Sequence, residues 1–212
     1  MIQNSQPLPL LRKEKTVGKR KIGIDFDDVA VDTFTELLSF CNQQYGEQFH
    51  MEQFVAFGQD SVWNINEEAC HLRFLAFDNS EARKNIRPMP GAQQVIMQLA
   101  RIHELHIITA RPVEIAPGTH EIIDEHFPQA FKGVHFCGSD NNPSYRRPKS
   151  LVCQEIEVAL HIEDHPETAI KCVAEGIKIL LFDRPWNRSA PEHQLITRVH
   201  SWNEIFKILC QP

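Results

Sequence analysis

Short apolar runs that read as buried strands alternate with stretches whose apolar residues recur at helical spacing, and this alternation constrains the fold most. KIGID, residues 21–25, is apolar and followed by polar residues, the pattern of a buried strand. Phe34, Leu37, Leu38, Cys41 and Tyr45 then recur at helical spacing, with Thr33 and Glu36 placed as a capping box and Gly46 as a stop. Further on, Ala92, Val95, Ile96, Leu99 and Ala100 form a second helical stripe, and Leu105 to Thr109 a second strand. The rhythm continues through a helix near 119–127, a strand near 133–136, a helix near 149–156 and a strand near 158–162. A helix over 166–175, closed by Gly176, and a strand at 178–182 follow. Ser201 and Glu204 form another capping box before a last helix in HSWNEIFKIL. Such alternation predicts an α/β fold of βαβ units, with a parallel sheet covered by helices on both faces.

Residues 47–88 break the rhythm. They hold clustered aromatics (Phe49, Phe54, Phe57, Trp63, Phe74, Phe77), a helix beginning near Asn66 and no clear strand. The expected organisation is a core domain from 21–31 and 89–212, a mostly helical insertion over 32–88 and a disordered basic tail over 1–20. A chain of 212 residues can build one such core with a small insertion. Residues 1 to 21 carry six Lys and Arg against Glu14, a balance of +5, so the net −6 of the chain leaves −11 on the rest. An acidic body argues against nucleic acid as a partner. No apolar run approaches the roughly 20 residues of a membrane span, and the N-terminus lacks the order of a signal peptide, so a cytoplasmic, non-membrane protein is expected. The six cysteines form no Cys-x-x-Cys pair and read as reduced structural thiols.

The acidic residues fall where strands end. Asp25 and Asp27 follow the first strand, Thr109 ends the second, and Glu163 with Asp164 ends VALHI. In doubly wound sheets, sites form outside the carboxyl ends of the strands, so these clusters are expected to converge. Positions i and i+2 of an extended segment place Asp25 and Asp27 on one side and turn Asp28 away. Several carboxylates in one pocket stay ionised only with a cation among them, and oxygen ligands with room for water suit Mg²⁺. Lys149, after Pro148 at a helix start, is a second cation for a phosphate, with Arg146 and Arg147 as alternatives. His161 and His165 lie four apart, but Val158, Leu160 and Ile162 alternate as in a strand, which argues against a shared helical zinc face.

The ordered set of IGIDFDDV, the Thr of IITARP, Lys149 and the acids of LHIEDHPETA resembles the four-motif signature of the haloacid dehalogenase (HAD) superfamily. MPGAQQVIMQLARIHELHIITARP, LFDRPWNR and ITRVHSWNEI are similar to its nucleotidases related to the 5'(3')-deoxyribonucleotidases. The resemblance covers nearly all of residues 20 to 208. It implies a three-layer αβα Rossmann-like core with a helical C1 cap at the insertion. It implies that Asp25 is a nucleophile forming an aspartyl-phosphate, and that Asp27 is the general acid and base. Thr109, the amides near Asp27 and Ala110, and that of the turn residue Asp28 would hold phosphoryl oxygens, and Lys149 would offset their charge. On the residues alone, Arg111 could reach the substrate or bond the chain turn before Pro112. Mg²⁺ would be held by Asp25, the carbonyl of Asp27 and Asp164, with Glu163 behind them. The implied activity is a Mg²⁺-dependent phosphomonoesterase acting on a small-molecule phosphate ester such as a nucleoside monophosphate.

Other readings stay open on the residues alone. A sugar-phosphate phosphatase or a phosphomutase would use the same pocket, whereas phosphonatase chemistry needs a cap lysine, and Lys84 is the only lysine of the insertion. A phosphate-binding regulatory protein without catalysis is the alternative outside enzymes. Trp63 and Trp186 could face a substrate or belong to the core.

Overall fold

The computed structural model describes residues 19–55, 60–138 and 147–210. Within them β1 (Lys21–Ile24), β2 (Glu104–Pro112), β3 (Phe131–Gly138), β4 (Leu160–Glu163), β5 (Lys178–Phe182) and β6 (Ile196–Val199) form one parallel sheet, ordered β3-β2-β1-β4-β5-β6. Successive residues of a strand face opposite sides, so each buried strand feeds two cores. Ile107 and Leu180 join one core; their neighbours Ile108, Ile179 and Leu181 join the other. The first core is closed by α4 (Ala92–Ile102), α5 (Ala116–His126) and α8 (Trp202–Cys210), through residues such as Leu99, Ile122 and Ile205. The second is closed by α6 (Lys149–Glu155) and α7 (Pro166–Ala174), through Val152, Cys153, Cys172 and Val173. This is the expected three-layer αβα architecture.

Between β1 and α4 the chain forms α1 (Thr33–Tyr45), α2 (Asp60–Trp63) and α3 (Glu67–Asp78), with short 3-10 turns at Met51–Gln53 and Glu81–Asn85. No strand occurs among its described residues. Phe34, Phe54, Trp63 and Phe77 bury their rings in the first core, which seats this helical segment on the sheet. Gly46 ends α1 at φ 68°, a left-handed conformation that costs glycine nothing, and Asn66 caps α3 by accepting from Ala69 N at 2.8 Å.

Several boundaries differ from the sequence reading. Asp32, not a Thr33–Glu36 box, caps α1, accepting from Thr35 N, while the Thr33 hydroxyl turns to Asp27. β2 runs three residues past Thr109, so that threonine lies inside the strand rather than at its end. β6 was not expected. Its four residues alternate weakly, with Thr197 exposed and Arg198 tied to Asp183 at 3.0 Å, and an edge strand needs only one buried side. The Ser201 hydroxyl accepts from Glu204 N as expected, but the Glu204 carboxylate answers His200 N instead of Ser201. Of the expected tail only Lys19 and Arg20 are described; the rest lies outside the described residues, as do Phe57 and Arg146.

Candidate active site

The order of strands reverses at β1: the chain runs from it outward through β2 and β3, then crosses back to β4 on the other side of β1, and a crevice opens beyond the carboxyl ends of strands at such a switch point. Asp25 follows Ile24 directly, and its N–H donates to Ile162 O at 2.9 Å, which ties the end of β1 to β4. Glu163 closes β4 and Asp164 comes next. Carboxylate oxygens of Asp25, Glu163 and Asp164 therefore lie within 4.8 Å of one another, all buried. Lys149, the first residue of α6, places Nζ 2.6 Å from Asp25 Oδ2 and 3.0 Å from Glu163 Oε2.

One ammonium cannot balance three buried carboxyls, so the acids are pushed in opposite directions. Burial and the charge of Glu163 push Asp25 well above the usual carboxylate range, against the pull of Lys149. Burial and Glu163 push Asp164 up to about 7. Glu163 goes the other way. Burial works to raise it, but Lys149 and the His161 hydrogen bond outweigh burial and hold it well below its ordinary value. Burial likewise opposes the charge of Lys149, and Asp25 and Glu163 outweigh it, so the lysine stays protonated. Protons retained on Asp25 and Asp164 are what a bound divalent cation would replace, and an all-oxygen donor set at this spacing fits a hard cation.

The hydrogen bonds separate the three acids. Glu163 is saturated: Oε1 accepts from His165 N at 3.0 Å and Asp164 N at 3.3 Å, and Oε2 from Lys149 Nζ and from His161 Nε2 at 2.9 Å. Asp25 Oδ1 accepts from Phe26 N at 2.7 Å. Asp164 Oδ2 accepts from the Trp186 indole N–H at 2.8 Å, and its backbone carbonyl accepts from Asn187 Nδ2 at 2.8 Å. Trp186 is buried beneath Phe34, 5.2 Å away edge to face, in an aromatic cluster that continues to Phe54 and Trp63. The two histidines do not share a face: His161 serves Glu163, while His165 Nδ1 caps α7 by accepting from Glu167 N and Thr168 N.

Asp27 stands apart from the three clustered acids. Its Oδ1 accepts from Thr33 Oγ1 at 2.5 Å and from Arg111 at 2.8 and 3.1 Å. Burial works to raise its pKa, but the Arg111 charge and these hydrogen bonds overcome burial and hold it below the ordinary value. Arg111, read from sequence as a substrate contact, is thus fully engaged inside the protein, because its fork meets a carboxylate before it meets solvent.

Asp28 is a turn residue, as expected, but its amide is taken up within the turn. Its N–H donates to Val31 O at 2.7 Å rather than pointing outward, because the residue adopts φ 59° and starts a tight turn. Its carboxylate is buried against Arg184 at 3.3 Å and Phe34 N at 3.1 Å. Thr109 is wholly buried; its Oγ1 accepts from Arg111 N at 3.1 Å, which leaves its own O–H to donate. The β2–β3 register shifts between Thr109 and Pro112, and Ala110 lies exposed in that irregularity. The residues sequence reasoning missed are Thr33, His161 as a Glu163 partner, Asp78, Arg184 and Asn187. Asp78, Arg184 and Asn187 act through partners distant in the chain and Thr33 through a hydroxyl that also suits a helix start. His161 and Glu163, two apart on β4, share one face of the strand, and that i, i+2 spacing is the signal that could have found the pair.

The sequence model of the family described as 5' nucleotidase, deoxy (pyrimidine), cytosolic type C matches residues 19–211. A nucleotidase of Clostridium acetobutylicum is 21% identical over 194 residues, which span 89% of this chain and 92% of that protein. Among solved structures, a haloacid dehalogenase-like hydrolase of Streptococcus pneumoniae superposes with a TM-score of 0.64 at 13% identity, covering 90% of this chain and 98% of that one. YfnB of Bacillus subtilis, described as a HAD hydrolase bound to magnesium, gives 0.60 at 14% identity, covering 91% and 99%. At such identities the structural likeness speaks for the fold.

Proposed function

The chain belongs to the family of cytosolic type C 5' nucleotidases, hydrolases of phosphoric monoesters with the haloacid dehalogenase fold, and from that premise we propose that it is a Mg²⁺-dependent nucleotidase working through an aspartyl-phosphate. The observation that carries this reading is Lys149 bridging Asp25 and Glu163 beside Asp164, at the carboxyl end of β1. Asp25, the Asp27 carbonyl and Asp164 would hold the ion, with Glu163 behind them, since its oxygens are already taken. When bound, the ion offsets the charge of the carboxylates and of the phosphoryl group.

In the first step a carboxylate oxygen of Asp25 attacks phosphorus and the ester P–O bond breaks, while Asp27 delivers a proton to the departing oxygen. In the second step water attacks the aspartyl-phosphate, Asp27 takes its proton, and the bond from phosphorus to Asp25 breaks to release phosphate. Thr109 O–H and the Ala110 amide would donate to phosphoryl oxygens, and Lys149 would offset their growing charge. Residues 32–88 act as the cap over this site, excluding water from it. A nucleoside monophosphate is favoured by the family match, which spans residues 19–211. A cytoplasmic location is part of the same proposal; among the described residues no helix is long and apolar enough to cross a membrane.

The test is phosphate release from ribo- and deoxyribonucleoside 5'-monophosphates, sugar phosphates and p-nitrophenyl phosphate, with Mg²⁺ and with EDTA. Mg²⁺-dependent turnover greatest on a nucleotide is expected. Preference for a sugar phosphate would overturn the substrate, and no turnover on any ester would overturn the catalytic reading.

A further inference from the structure

The guanidinium of Arg111 is built into the protein on every side. Nε lies 3.0 and 3.1 Å from the two oxygens of Asp27, and Nη2 lies 2.8 Å from Oδ1. Nη1 donates to Thr119 Oγ1 at 3.2 Å and approaches Asp78 Oδ1 at 3.5 Å. Its flat face covers the Phe26 ring, 4.8 Å from the centroid. The Arg111 side chain is 1% exposed, whereas that of its partner Asp27 is 28% exposed. The arginine is therefore closed off from solvent, whereas the Asp27 side chain is partly open to it.

The two oxygens of Asp27 are held unequally. Oδ1 accepts from Thr33 Oγ1 and twice from Arg111, while among the described residues Oδ2 accepts only from Arg111 Nε. A carboxylate pinned through one oxygen by a hydroxyl and a guanidinium cannot rotate, so the other oxygen keeps a fixed direction. Thr33 opens α1 and Asp78 closes α3, so the clamp draws on both ends of the helical insertion as well as on β2.

We propose that Arg111 and Thr33 are positioning residues that fix Asp27 so that Oδ2 exchanges the proton with the ester oxygen, and that Arg111 ties this carboxylate to the insertion through Asp78. The inference rests on the acid and base role assigned to Asp27 above. The proton leaves Asp27 Oδ2 as the ester P–O bond breaks and ends on the alcohol product; the electron pair of that bond stays with the alcohol oxygen.

Leaving-group dependence tests it. The departing alkoxide of an alkyl phosphate needs that proton, whereas p-nitrophenolate departs without one, and kcat/KM reports the steps up to that departure. Thr33→Val and Arg111→Lys are to be compared with wild type on p-nitrophenyl phosphate and on an alkyl ester. The alkyl ester is thymidine 5'-monophosphate, or whichever sugar phosphate the wild-type protein turns over. Loss of about 10²-fold on the alkyl ester and under about tenfold on the aryl ester is expected for both variants. In an Asp27→Asn background neither substitution should lower the alkyl rate further. Equal losses on both esters, no loss on either, or additive losses in the double variants would overturn the proposal. Should Arg111→Lys fail to fold, Thr33→Val, which keeps volume and branching, decides it alone. Absence of wild-type turnover on every ester would instead sink the catalytic reading on which the inference rests.

Discussion

Lys149 Nζ and Asp25 Oδ2 lie 2.6 Å apart in a site where both side chains are more than nine-tenths buried. Lys149 is the cation of a cluster that also contains Glu163 and Asp164, and removing its ammonium would leave buried carboxylates facing one another. Lys149→Met is therefore expected to destabilise the chelated protein by about 3 kcal/mol at pH 8. The loss should shrink at pH 5, where the acids hold protons more readily. Urea unfolding at the two pH values checks it; a variant as stable as wild type at pH 8 would show that the cluster does not depend on this cation.

Asp25→Asn separates stability from chemistry. The substitution keeps the shape and removes one of three crowded acids, so the metal-free fold should melt no lower than wild type. Activity should fall by about 10³-fold or more, as for loss of a nucleophile. Release of p-nitrophenol and a thermal melt measure both. Turnover within tenfold of wild type would assign the attack to another group.

Binding of the cation should depend on pH with a definite sign. Asp164 holds its proton up to about 7 in the metal-free fold, and Asp25 is raised as well. The ion needs both ionised, so its binding releases protons at low pH, and apparent affinity climbs as pH rises through about 7. The slope should reach at least about tenfold per pH unit near pH 6. Calorimetric titration of the EDTA-treated protein with Mg²⁺ between pH 5.5 and 8.5 is the measurement. An affinity flat across that range would mean that these acids are not the ligands.

The gathering of Asp25, Glu163 and Asp164 was legible because each follows a short apolar strand, and the parallel alternation sends strand ends to one crevice. The clamp on Asp27 was not. Arg111 is 84 residues from Asp27, and nothing in TARP distinguishes an arginine that faces substrate from one that faces inward. Thr33 carried two meanings, since a threonine ahead of an apolar stripe suits a cap as well as a hydroxyl donor. β6 escaped notice because ITRV offers only Ile196 and Val199 to a core and lies at the sheet edge. Trp186 stayed ambiguous between core and site, and the structure makes it both: its ring packs on Phe34 and its N–H reaches Asp164.

That double role of Trp186 can be split. Trp186→Phe keeps a ring against Phe34 and deletes the donor to Asp164 Oδ2, so the acid loses the partner that orients it. The Mg²⁺ concentration giving half-maximal activity should rise about tenfold, with kcat at saturating Mg²⁺ nearly unchanged. An unaltered Mg²⁺ requirement would reduce Trp186 to a packing residue.

Gly23 sits in the middle strand of the sheet, where a side chain would point at the histidine behind the acids. A Cβ built there would stand 2.6 Å from His161 Nδ1 and 2.9 Å from Ile108 Cδ1. The Ile108 methyl can turn aside, but the His161 ring is wholly buried and held by its Nε2 contact with Glu163, so it must move as a body. Gly23→Ala is expected to cost about 1–3 kcal/mol of stability, the usual penalty of overpacking. It should also loosen Glu163. In a His161→Ala background the ring that the new methyl strikes is gone, so the same substitution should cost under about 0.5 kcal/mol. Urea unfolding of the four proteins of this cycle gives the coupling. A cost that is the same with and without the histidine would locate the strain in the strand itself, and would break the link from the middle of β1 through His161 to Glu163.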